Sequence, residues 1–180
     1  MQTFSLAYGQ LEVAGASAIG RRNENQDRWF VGPDLGLFAV ADGVGGLSLG
    51  GMASELACQS LVDYVREGLE LEEAVERIHW RLVKESELRG LSKSMATTLV
   101  AVRWVGDGFR LVWVGDSFAV TVFNQQVLGL TQDHSMVANM VEAGKLTWAE
   151  ARKHPNRNVI TQALGVSGAA PLRPGLNAGG

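Results

Sequence analysis

The residues of this chain best placed to do chemistry are acidic and stand beside glycine. The run Ala41-Asp42-Gly43-Val44-Gly45-Gly46 closes the apolar stretch Leu35 to Ala41, so Asp42 sits at the end of a buried strand with open space beside it. Hard divalent cations such as Mg²⁺ or Mn²⁺ take oxygen ligands, and the Asp42 carboxylate and Gly43 carbonyl can supply two of them. Read alone, the same residues are equally a plain turn whose aspartate caps a backbone amide. Arg22-Asn23-Glu24-Asn25-Gln26-Asp27 offers a second carboxylate, Asp27, and a guanidinium five residues before it. Arginine suits planar, bidentate recognition of phosphate, although such a segment is also an ordinary charged surface loop. In Gly115-Asp116-Ser117, Asp116 is a further oxygen donor or only the polar corner of a hairpin.

These residues need elements to hold them. Leu11 to Ile19 alternates loosely and runs through Gly20 into the polar loop Arg21 to Arg28. Ala53, Leu56, Ala57, Leu61 and Val65 recur at helical spacing, as do Leu71, Ala74, Val75, Ile78 and Leu82. Helices are therefore expected at roughly 52–67 and 70–89, with Gly90 as the stop of the second. Between Met95 and Leu130 the chain turns β-branched and aromatic, and the strands Thr97–Val105, Phe109–Val114, Ala119–Phe123 and Gln126–Leu130 are separated by Gly106-Asp107-Gly108, Gly115-Asp116-Ser117 and Asn124-Gln125. This is the pattern of an antiparallel meander. A third helical region spans roughly 133–153, with Gly144 ending one helix and Thr147 capping the next. The stretch 166–180, with Pro171, Pro174 and several glycines, reads as a flexible tail outside a single domain at 1–165.

Composition excludes several classes. The chain has 180 residues, 46% hydrophobic and 19% charged, and a formal net charge of -3, which fits one folded domain and leaves no basic stripe to draw in nucleic acid. No run approaches the ~18 apolar residues of a membrane span, so the expectation is a cytoplasmic protein with no membrane partner. A lone cysteine, Cys58, in a helical pattern reads as a packed, inert thiol.

Five landmarks in order carry a family resemblance: RRNENQD at 21–27, FAVADGVGG at 38–46, MATTLVAV at 95–102, VGDS at 114–117 and LTQDHSMVANMVEAGKLTWAEARKHPNRNVITQALG at 130–165. Together they resemble the metal-dependent, type 2C protein serine/threonine phosphatases, and the last resembles the bacterial branch. The resemblance implies an α+β fold, an antiparallel β-sandwich flanked by helices on both faces and lacking its last strands. It implies that Asp42 bridges two Mg²⁺ or Mn²⁺ ions, that the Gly43 carbonyl completes a shell, that Asp27 supports the cluster and that Asp116 belongs to a third site. Arg22 would hold the substrate phosphate, while Thr97 and Thr98 match a structural strand motif. His134 is read as a satisfied structural histidine, and His79 and His154 match no role.

The implied activity is hydrolysis of phosphoserine and phosphothreonine in proteins, substrates of a serine/threonine kinase, by a metal-activated water. The chain departs from the pattern in three places. Val44 stands where some members carry a histidine after the Asp-Gly, and Phe118 follows the Gly-Asp-Ser turn where arginine is usual. Members also continue past the Ala-Leu-Gly run into strands bearing Asp-Gly and Asp-Asn metal-ligand motifs, whereas 166–180 holds no acidic residue. The expectations that follow are weaker metal sites and open strand edges. The alternative function is a non-catalytic or truncated phosphatase-like module that binds phosphoproteins or a partner.

Overall fold

A computed structural model of the chain describes residues 2–6, 9–20, 23–44, 48–91, 94–167 and 171–179. The chain opens with an antiparallel hairpin, β1 (Gln2–Leu6) and β2 (Gly9–Val13), followed by β3 (Asp27–Gly32) and β4 (Leu37–Val44). Two helices follow, α1 (Ser48–Arg66) and α2 (Leu71–Leu88). Next come the short β5 (Ala96–Thr97), then β6 (Leu99–Val105), β7 (Gly108–Val114) and the hairpin β8 (Val120–Phe123) with β9 (Gln126–Gly129). Two short helices, α3 (Met136–Glu142) and α4 (Trp148–Ala151), precede β10 (Gly175–Gly179).

The main sheet is antiparallel throughout, in the order β10-β7-β6-β4-β3, with β5 paired to the end of β4. Its strands alternate. On β4, Leu37, Ala39 and Ala41 are buried against the helices, and Phe38, Val40 and Asp42 point to the opposite face. Helix α1 brings Ala53, Ala57, Leu61 and Val65 to that core, and α2 brings Leu71, Ala74, Val75, Ile78 and Leu82, which is the stripe the spacing predicts. Val112 and Val114 of β7 meet them from the sheet. No described helix is long and apolar enough to cross a membrane.

The second face is covered differently. A smaller cluster of Val100, Leu111 and Trp113 packs there with Val102, Phe109, Ala119 and Leu130. Leu11 and Val13 of β2 lie across a groove of about 450 Å³ from Trp29, Val40, Val100 and Trp104. The second layer, among the described residues, thus consists of two hairpins over a partly open sheet face. The helices α3 and α4 pack on each other, and their segment, closed on itself by a bridge from Ser135 to Ile160, reaches the end of the sheet through the Thr97–Leu164 bridge and the His134 backbone N–H, which donates to the Gly115 carbonyl.

Several boundaries differ from the sequence pattern for identifiable reasons. The helical region at 133–153 divides where Gly144 and Thr147 predict, with Gly144 at φ +68 and a reciprocal capping box from Thr147 to Glu150, but it is shorter at both ends: α3 starts only at Met136, capped by the Ser135 hydroxyl, and α4 ends at Ala151. The loop expected through Arg28 ends earlier, since Asp27 already pairs with β4. The largest correction is at the C-terminus: where composition predicts a flexible tail from 166, Gly175–Gly179 is a strand on the outer edge of β7, and Leu172 packs against the main core. Backbone pairing with an available edge decides this, and composition does not register it.

Candidate metal centre

Strand register brings the acidic residues together. Asp27 and Asp42 are direct partners in the β3–β4 pair, at the end where β3 begins and β4 closes. Their side chains emerge on the same face, away from α1 and α2. Directly opposed residues of an antiparallel pair hold their Cβ atoms about 4.5–5.5 Å apart, and like charges so placed repel. A cation between them would offset that repulsion.

The backbone around the pair is fixed by buried contacts. The Gly43 N–H donates to the Gln26 carbonyl at 3.1 Å, and the Ser54 hydroxyl of α1 donates to the same oxygen at 2.6 Å. That carbonyl belongs to the residue before Asp27, so α1, β4 and the start of β3 meet at one atom. Gly43 must lack a side chain, because a Cβ there would collide with the Gly50 carbonyl of α1. Arg28 ties the preceding loop down: its guanidinium donates to the Asn25 and Asp27 carbonyls at 3.0 and 2.8 Å and pairs with Glu55 of α1 at 2.5 Å.

Thr97 and Thr98 complete the frame. The Thr98 N–H and Thr97 hydroxyl both donate to the Asp42 carbonyl, at 2.8 and 3.0 Å, and the Thr98 hydroxyl accepts the Asp42 N–H at 3.0 Å. The same Thr98 hydroxyl lies 2.7 Å from the Ser117 hydroxyl. It therefore connects the Asp42 strand end to the turn that carries Asp116. The sequence pattern identifies Thr98 only as a strand residue; its bridging role depends on the β4–β6 register, which no local signal encodes.

Asp116 has a neighbour the sequence analysis does not assign. Asp133 is half-buried, and burial first and the nearby Asp116 charge second push its pKa above the ordinary carboxylate value. The adjoining His134 is structural: its Nδ1 accepts the Gly115 N–H at 3.2 Å, its backbone N–H donates to the Gly115 carbonyl at 3.0 Å, and its ring stacks on Trp113. Burial lowers its pKa, which keeps the imidazole neutral and able to accept. His79 is held likewise, accepting the Gly165 N–H at 3.3 Å with its pKa lowered by burial.

Of the predicted site residues, the structure places Asp27, Asp42, Gly43 and Asp116 at one end of the sheet. Arg22 lies outside the described residues. Among those described, no three His, Cys, Asp or Glu side chains converge as a self-contained metal cage. Two opposed carboxylates nevertheless fit a small hard cation, since Mg²⁺ is commonly held by one or two carboxylates with water and substrate phosphate filling the rest of its shell.

Residues 14–165 match the Protein phosphatase 2C family. The serine/threonine phosphatase stp of Listeria monocytogenes serotype 4b is 31% identical over 161 residues, covering 83% of this chain and 64% of that protein. The chain thus spans somewhat under two thirds of the length of that curated relative. Among solved structures, the serine/threonine phosphatase Stp1 from Staphylococcus aureus superposes with a TM-score of 0.78 at 27% identity, over 88% of this chain and 66% of its own. The catalytic domain of the serine/threonine protein phosphatase PstP in complex with two manganese ions superposes with a TM-score of 0.72 at 27% identity, over 87% of this chain and 66% of its own.

Proposed function

This chain belongs to the protein phosphatase 2C family, and on that premise we propose that it removes phosphate from phosphoserine and phosphothreonine in proteins with the help of a divalent cation. The observation that carries this reading is the placement of Asp27 directly opposite Asp42 on one face of the sheet, within a family match that spans both. The proposal extends to a cytoplasmic signalling role, in which the substrates are proteins marked by a serine/threonine kinase.

The residues divide the work as follows. Asp42 and Asp27 would hold the cation, the Gly43 carbonyl would offer a third oxygen, and Asp116 would serve a further position near Asp133. When bound, Mg²⁺ or Mn²⁺ supplies a water of lowered pKa and positive charge against the phosphoryl oxygens. Thr98 keeps Asp42 in register with the Asp116 turn, so that the carboxylates need not reorganise as charge develops. Arg22, five residues before Asp27 in the sequence, is assigned to grip the phosphate, where a guanidinium makes paired hydrogen bonds to two oxygens.

A second reading, a phosphoprotein-binding module without turnover, is favoured by one observation: the described carboxylates come in pairs and not as a cluster of three or more. Hydrolysis of a phosphothreonine peptide by the chain, with Mn²⁺ and then with excess chelator, separates the two. Chelator-sensitive release of phosphate supports the enzyme. Peptide binding with no release supports the module, and neither binding nor release removes both.

A further inference from the structure

Helix α2 and the C-terminal segment enclose a cavity that the proposed phosphatase chemistry does not use. It holds about 700 Å³ and lies between Glu72, Glu73, Glu76, His79 and Trp80 of α2 and the described residues at 166–167 and 171–176. A space of that size suits a small organic group. Leu172 and Pro174 supply much of its apolar wall, and among the described residues no lysine or arginine lines it. The cavity is on the helix side of the main sheet, whereas Asp27 and Asp42 face the other way.

Its three carboxylates are not equivalent. Glu72 and Glu73 stand in the first turn of α2, where the helix dipole alone accounts for acidic residues, and each has a guanidinium nearby, Arg110 at 4.0 Å and Arg77 at 2.8 Å. Glu76 stands beyond the first turn and pairs with no cation among the described residues. Trp80, one turn further along the same side, keeps 59% of its surface exposed. An exposed indole beside an unpaired carboxylate offers one cation both an aromatic face and a counter-charge.

His79 adds a directional contact. Only 7% of it is exposed, and its Nδ1 accepts the Gly165 N–H, so the proton of the neutral ring resides on Nε2. That Nε2–H meets no acceptor among the described residues. No fully buried side-chain nitrogen there lacks a partner, so the N–H opens onto the cavity that His79 lines. A protonated Nε2 cannot ligate a metal ion; it asks for an acceptor such as a carbonyl oxygen. About 4.5 Å of helix rise separates His79 from Glu76, so a ligand that meets both carries its acceptor and its positive charge at opposite ends of an apolar stem.

We propose that this cavity binds an arginine residue of an extended peptide: the residue's carbonyl accepts the His79 Nε2–H, its stem lies over Leu172 and Pro174, and its guanidinium rests between the Glu76 carboxylate and the Trp80 face. Arginine fits better than lysine, because a planar guanidinium makes paired hydrogen bonds to a carboxylate and stacks on an indole. Anions are excluded by the three glutamates. Neither the metal centre nor turnover is needed for this site.

The test titrates the full chain with N-acetyl-arginine N-methylamide and follows amide and indole shifts by NMR. Shift changes grouped at residues 72–80 and 172–176, with a Kd on the order of millimolar, support the site. Glu76→Gln should weaken that affinity about fivefold or more, and Glu67→Gln, at an exposed acid outside the cavity, should leave it unchanged. In the unmodified chain, n-butylguanidine keeps the cation and the stem but lacks the carbonyl, so it should bind about fivefold more weakly. N-acetyl-norleucine N-methylamide, which lacks the charge, should not bind. These two ligands decide the matter if Glu76→Gln does not fold. No shift change up to about 20 mM of the arginine ligand, changes scattered over the surface, an unchanged affinity in Glu76→Gln, or equal binding of either comparison ligand overturns the proposal.

Discussion

Asp27 stands directly across the β3–β4 pair from Asp42, two carboxylates on one face at the open end of the sheet. Opposed like charges on neighbouring strands repel by up to about 1 kcal/mol, a cost that a cation shared between them would offset. The arrangement makes sense as a seat for positive charge. It is also a seat built from two elements, so its geometry depends on sheet register and not on a local turn.

That relationship gives a prediction with two signs. Without divalent metal, Asp27→Asn should leave stability unchanged or raise it by up to about 1 kcal/mol, since it removes a repulsion. With Mn²⁺ present, the same substitution should shrink the metal-induced rise in Tm, and Asp42→Asn should abolish it. Thermal melts of the three proteins with and without Mn²⁺ check this. A full metal-induced rise in Asp42→Asn would show that the cation sits elsewhere.

Thr98 should matter more than its neutral side chain suggests. It is almost fully buried, and its hydroxyl both accepts the Asp42 N–H and meets Ser117. Thr98→Val keeps the shape and removes the oxygen, leaving buried polar groups without their partner at a cost of about 1–3 kcal/mol. Thr98→Ser should recover most of that loss. If the bridge also aligns the two acidic strand ends, the metal response of Thr98→Val should fall and that of Thr98→Ser should return. Equal metal titrations in both variants would confine Thr98 to stability.

Much of this frame was legible in the chain. The helical stripes of α1 and α2 and the four strands β6 to β9 follow from periodicity, and Asn124 and Gln125 indeed adopt the left-handed backbone of a tight hairpin turn. The strands do not form the expected continuous meander, because β10 pairs with the outer edge of β7 and leaves β8–β9 as a separate hairpin. Asp42 was legible as a strand-end acid because an apolar run precedes it and glycine follows. The opposition of Asp27 was not, because Arg21 to Arg28 is polar throughout and β3 exists only where β4 offers it hydrogen bonds. The bridge from Thr98 to Ser117 joins residues 19 apart through register. The same blindness to pairing hid β10, whose Gly- and Pro-rich composition predicts no strand at all.

Acid should weaken the fold through two imidazoles, the buried His79 and the half-buried His134. His79 and His134 both have pKa values lowered by burial from the ordinary 6.5, and each accepts a backbone N–H through Nδ1. The unfolded chain therefore binds protons first as pH falls below about 6.5, so their contribution to stability is complete above that pH and is lost on descending toward the folded values. Asp133 has the opposite sign. Its raised folded pKa means that its protonated form is favoured, so it adds stability below the ordinary carboxylate value of 3.8 and loses it as pH rises through the folded value. Denaturant melts from pH 7.5 to 5.5 should show stability falling with acid, with a shallower slope in His134→Gln. An identical slope in that variant would place the dependence on other groups.

Gly115 offers the cleanest separation of backbone strain from site geometry. It adopts φ +106, and a Cβ there would lie 2.6 Å from the Thr98 side chain. Gly68 adopts φ +92 with no atom near its Cβ position, so Gly68→Ala measures the left-handed cost alone, about 1–2 kcal/mol. Gly115→Ala carries that cost and a clash besides, and the clash falls on the side chain that links Asp42 to the Asp116 turn. It should destabilise by about 1–3 kcal/mol more than Gly68→Ala. The metal response is the sharper measure: Gly68→Ala should keep the full Mn²⁺-induced rise in Tm, and Gly115→Ala should lose most of it, because pushing Thr98 disturbs both acidic strand ends at once. Matching losses of stability with an intact metal response in Gly115→Ala would mean that the turn at Asp116 is not coupled to the Asp27–Asp42 pair.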